Sequence, residues 1–132
     1  MRIQRDMIRH RLEKIWPDVG LDVTATFKFD VMSKRRLELI LQESKLDSLR
    51  YGGAFKCVQF SLLLAAEVVM YRKRKYPKAR HPWAFGEADM MAGFGKHRLN
   101  IAVTTSGIYL VEPQTDRIWR ASADDQVYRV RF

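Results

Sequence analysis

Cysteine is nearly absent from this chain: one thiol, Cys57, among 132 residues, with only four prolines and seven glycines. A single cysteine closes no internal disulfide, so a reducing, cytoplasmic setting is the expectation. Long hydrophobic runs are missing too. The longest, Phe60 to Met70, is broken by Ser61 and Glu67 and falls short of the ~20 apolar residues that span a bilayer. The opening Met1-Arg2-Ile3-Gln4-Arg5-Asp6 is charged and lacks the apolar centre of a signal peptide. Acidic residues are in deficit, 15 against 24 basic ones, giving a net charge of +9. That sign favours nucleic acid, anionic lipid or an acidic protein as partner without choosing among them. Gly93-Phe94-Gly95 lacks the third glycine and following helix of a phosphate loop. His10, His81 and His97 do not combine with Cys57 at metal-ligand spacing, so neither a metal nor a cofactor is expected.

What is present fits one domain over 1–132, with an N-terminal helix in 1–20 and a core over 22–132. Ile3, Met7, Ile8, Leu12, Ile15 and Trp16 recur at helical spacing before Pro17, predicting a surface helix with one apolar stripe. Asp22 to Phe29 alternates and predicts a strand. Ser33 is an N-cap for a short helix carrying Leu37, Leu39, Ile40 and Leu41. From about Ala54 to Lys75 the pattern is helical and apolar on nearly every side, which predicts a helix enclosed by the domain and stopped by Pro77. Short runs at 97–104, 108–112, 118–119 and 127–132 then predict a small antiparallel sheet.

Cys57 falls in the first turn of the long helix, where unpaired amides and the helix dipole stabilise negative charge. His97 shares the parity of Leu99, Ile101 and Val103, and Thr105-Ser106-Gly107 signals a hairpin into Ile108–Glu112. A two-residue loop puts Ile101 opposite Glu112, and a four-residue loop puts Leu99 there; either leaves His97 and Glu112 on one face. Gln114 and Asp116 share that parity. A thiol, an imidazole and a carboxylate in this order suffice for an activated nucleophile: His97 takes the thiol proton, Glu112 holds the ring and the Cys57 amide contributes to an oxyanion hole. Gln114, Gln59 and Tyr51 are supporting candidates. The bland alternative is an inert packed cysteine.

The stretches Tyr51–Phe60, His97-Arg98-Leu99-Asn100 and Tyr109–Thr115, with its Glu-Pro-Gln-Thr string, resemble the papain-like cysteine protease domain at the C-terminus of a mushroom (Marasmius-type) agglutinin and its small bacterial and phage relatives. The resemblance covers roughly 22–120. It implies an α+β, papain-like fold, a central buried helix packed on a small antiparallel sheet, and a cysteine peptidase acting on peptide or protein substrates through Cys57, His97 and Glu112. A phage-associated setting is also compatible with it. Relatives commonly place aspartates beside the cysteine and the agglutinin protease needs calcium; here the flanks are Lys56 and Val58, so calcium is not carried over. A cell-wall peptide hydrolase of NlpC type is the rival enzyme. From another class, a non-catalytic basic protein would keep the scaffold and bind nucleic acid or another acidic partner. Its candidate anion-binding residues are Arg72, Lys73, Arg74, Lys75, Lys78 and Arg80, around Tyr76-Pro77.

Overall fold

The computed structural model describes residues 2–23, 28–53 and 55–132. In chain order these form β1 (Arg2–Gln4), α1 (Arg5–Ile15), β2 (Gly20–Asp22), β3 (Lys28–Asp30), α2 (Lys34–Glu43), a 3-10 turn (Leu46–Ser48), α3 (Cys57–Lys75), β4 (Phe85–Ala92), β5 (Gly95–Thr104), β6 (Gly107–Glu112), β7 (Arg117–Arg120) and β8 (Gln126–Arg131). β1 pairs with β3, and the other six strands form one sheet in the order β2-β8-β4-β5-β6-β7. Its neighbours are antiparallel except β2 and β8, which run parallel from Gly20↔Arg129 to Asp22↔Arg131.

Alternation along β5 separates two cores. Leu99, Ile101 and Val103 join Ile108 and Leu110 of β6 and Ala88 of β4 beneath Ile8 and Leu12 of α1 and Trp16. The next residues over, Ala102 with Tyr109 and Val111, pack instead beneath α2 and α3 on Leu37, Ile40, Phe60, Leu64 and Val68. The sheet is thus covered on both faces, which is why nearly every residue from Leu99 to Thr104 is apolar or hydrogen-bonded and fully buried. Asn100, the polar exception on the α3 side, donates from Nδ2 to the Ser61 carbonyl at 2.9 Å and the Gly86 carbonyl at 3.1 Å, pinning helix to sheet.

Several expectations are corrected here. The sheet is neither small nor wholly antiparallel: β4, unread in the sequence because Glu87 and Asp89 pass for a loop pair, lies between β5 and β8. The long helix is not enclosed. Phe60, Ser61, Leu64, Val68 and Tyr71 form its buried stripe, whereas Leu62, Val69 and Met70 are more than half exposed. An apolar helix surface gives no angular signal, so only packing selects the stripe. A buried central helix on a small antiparallel sheet, the papain-like arrangement expected above, is therefore replaced by a β-rich architecture with helices on both faces. Ile3 belongs to β1 rather than to the first helix, while α1 is the expected surface helix with one apolar stripe, burying Ile8 and Leu12 in the main core. The expected strand over 22–29 is seen as β2 and β3 at its ends; its middle, 24–27, lies outside the described residues. Ser33 does cap α2, its Oγ accepting from the Arg36 N–H at 3.0 Å. No helix among the described residues is long and apolar enough to cross a membrane.

Candidate functional site

Cys57 is the first residue of α3 and is half-buried. The residue before it, Lys56, donates its backbone N–H to Gln59 Oε1 at 3.1 Å, so the Gln59 side chain closes the helix start. That engagement gives Gln59 a capping role in place of the expected oxyanion role. Cys57 opens onto a shallow cleft of about 210 Å³ lined also by Val58, Asp89, Lys96, His97, Arg98 and Tyr128.

Strand parity decides what faces the sulfur. α3 lies on the Asn100 side of β5, held by the Asn100–Ser61 bond and by Ser61 Oγ donating to Glu87 Oε2 at 2.7 Å. Arg98 shares that parity and is a charge neighbour of Cys57. His97 has the parity of Leu99 and Ile101, whose face is covered by α1. Its partner Glu112 has the parity of Ile108 and Leu110 on the same face. His97 Nε2 and Glu112 Oε1 stand 2.7 Å apart, and the other oxygen, Oε2, is buried and accepts no hydrogen bond among the described residues. Phe94 meets the His97 ring edge-on at 5.4 Å. The β5–β6 ladder runs from Thr104↔Gly107 to Asn100↔Val111, the register that continues to Leu99 opposite Glu112.

The structure therefore brings His97 and Glu112 together, and His97 also lines the Cys57 cleft from the start of β5, beside Arg98.

Around the thiol lies a charge network that the sequence reading missed. Arg98 donates from Nε to Asp89 Oδ1 at 2.6 Å, and Arg131 from Nη1 to Asp89 Oδ2 at 2.6 Å. Arg98 also approaches Glu87 at 3.9 Å. Burial works to raise the pKa of Asp89, but the hydrogen bonds and charges of Arg98 and Arg131 outweigh it and hold the carboxyl below its ordinary range. The hydrogen bond to Asp89 in turn raises Arg98, with burial opposing and Glu87 and Cys57 adding to the rise. Alternate acids at 87 and 89 inside an otherwise apolar 85–92 stretch were the available signal.

The remaining candidates lie elsewhere. Tyr51 is exposed in the loop before α3, and Gln114 occupies the turn after β6; neither lines the cleft. The basic cluster does not make one patch, because successive helical residues point about 100° apart. Arg72 is tied to Asp30 and to the His81 carbonyl, Arg74 lies 3.9 Å from Glu43, and Lys75 sits 5.8 Å over the Tyr71 ring. Among the described residues Lys73, Lys78 and Arg80 are exposed and have no ion-pair partner. No group of three or more histidine, cysteine, aspartate or glutamate residues able to hold a metal ion occurs among the described residues.

No protein-family model and no curated protein matches the chain. Solved structures share its fold, among them the following two. One, described as a PSL1a–E64 complex, superposes with a TM-score of 0.84 at 19% identity over 99% of this chain and 50% of that one. The other, Polyporus squamosus lectin bound to the human-type influenza-binding epitope Neu5Acα2-6Galβ1-4GlcNAc, gives a TM-score of 0.86 at 17% identity over 99% of this chain and 49% of that one. The chain thus spans about half the length of each. The second of these carries the name of a lectin and neither that of a peptidase, and with them the expectations of a papain-like protease family, of a peptidase or NlpC-type hydrolase with a catalytic triad, and of peptide, nucleic-acid or acidic-protein partners are corrected. At this level of identity the likeness establishes the fold: that of the Polyporus squamosus lectin structures over about half their length.

Proposed function

We propose that this chain is a carbohydrate-binding unit and that its ligand cleft is the one at the head of α3. The observation that supports the reading best is the convergence there of hydrogen-bonding groups of both kinds with an aromatic ring. Lys96 and Arg98 donate, Asp89 accepts, and Tyr128, 40% exposed, offers a ring on which the apolar side of a pyranose can rest. Cys57 and His97 serve as walls of this cleft, and Glu112 holds the His97 ring. The second structural neighbour is bound to a sialylated trisaccharide, whose carboxylate suits the exposed Lys96 ammonium.

The test is a titration of the ¹⁵N-labelled chain with Neu5Acα2-6Galβ1-4GlcNAc, followed by amide shifts. Saturable shifts confined to residues 57–58, 89, 96–98 and 128, abolished by prior alkylation of Cys57, are the expected result. Absence of shifts up to ~10 mM, where binding energy is under about 3 kcal/mol, would sink the carbohydrate reading. If E64, the compound named with the first neighbour, moves those amides and the trisaccharide does not, the cleft stands and the ligand class falls.

A further inference from the structure

A second and larger hollow, about 500 Å³, lies at the other end of α3, between its last two turns, the segment from Tyr76 to Phe85, and Phe132. Its volume falls in the range of small-molecule sites. Ala65, Val68, Val69, Phe85 and Phe132 make its apolar walls, and among the described residues no aspartate or glutamate lines it. Trp83 and Tyr76 meet edge-on at 5.8 Å, with the Arg72 guanidinium 4.5 Å over the Trp83 ring. Arg72 is paired by its terminal nitrogen, but its Nε is buried and donates to no acceptor among the described residues. At the rim stand Lys73 and Arg80, exposed and without ion-pair partners among the described residues.

We infer that this hollow binds an amphipathic organic anion: a small molecule with an aliphatic or aromatic body and a single carboxylate. The walls fix the class. The hollow's polar side chains, Arg72, Lys73, Arg80 and Trp83 among them, are mostly donors or cations that call for an acceptor of negative charge, and a hydrocarbon body gains its burial free energy against the apolar walls. The rim and the Arg72 Nε–H then select charge, since each offers a donor or cation and nothing in the lining repels an anion. This site is independent of the cleft at Cys57, about two to four helical turns away along α3 and sharing no lining residue with it.

Isothermal titration with octanoate, and with 1-octanol as its uncharged counterpart, tests the inference. Octanoate is expected to bind saturably at one site, about ten-fold tighter than octanol, and to lose about ten-fold in the double variant Lys73→Ser, Arg80→Ser. Val69→Trp, at a position 62% exposed and so harmless to folding, is expected to block binding by filling the mouth. Equal affinity for acid and alcohol, an unchanged affinity in the rim variant, binding that survives Val69→Trp, or no saturable heat with octanoate would each overturn it.

Discussion

Alanine at Gly86 is expected to destabilise the fold by about 3 kcal/mol or more, lowering Tm by about 10 °C or more, while Gly93→Ala leaves it within ~0.5 kcal/mol. Gly86 lies in β4, paired to Ile101 of β5 on one side and facing the end of β8 on the other. A Cβ there would stand 1.9 Å from the Arg131 carbonyl oxygen and 2.9 Å from its carbon. Those are backbone atoms, so relief requires β8 to move off β4, opening the contact that carries β2 at the sheet edge as well. The same methyl at Gly93 meets nothing within 4 Å. Thermal melts of the two variants side by side check the claim, and equal melting points would show that β4 and β8 are not so closely apposed.

Asp89→Ala is expected to cost about 3 kcal/mol at pH 7, because it leaves Arg98 and Arg131 facing each other without the carboxylate that both bond. Asp89 is 7% exposed, so water restores little of that loss. Its pH dependence follows from the depressed carboxyl. A folded-state pKa below the unfolded value of about 4 means that the stabilisation is present above pH ~4 and is lost as pH falls through the folded pKa. Urea unfolding of wild type and variant should therefore differ most near neutrality and converge toward pH 2. A gap that persists in acid would mean that Asp89 acts by packing and not by charge.

Much of the local structure was legible in the residues. Ser33 announces α2, the 105–107 turn announces the β5–β6 hairpin, and the alternation of 97–104 and 108–112 is enough to put His97 and Glu112 on one face at bonding distance. What the pattern could not show was which helix covers that face. β5 is buried on both sides from Leu99 to Thr104, so its odd and even residues there are equally enclosed, and parity gives a partition without naming its sides. β4 escaped notice for a related reason: Glu87 and Asp89 break its hydrophobic pattern, and their place inside a sheet depends on Ser61, Arg98 and Arg131 arriving from three other elements.

The single cysteine shows the same division. Its position at a helix start, the apolar run that follows and the lack of a second cysteine to pair with are properties of the chain and needed no structure. Its surroundings were decided by tertiary packing alone, since α3 docks on the Asn100 face of β5 through Ser61 and so brings Cys57 to the cleft that His97, Arg98 and Asp89 also line. Short-range periodicity specifies which residues lie together along one element; only the burial of two opposed faces by two different helices determines which of those residues meet.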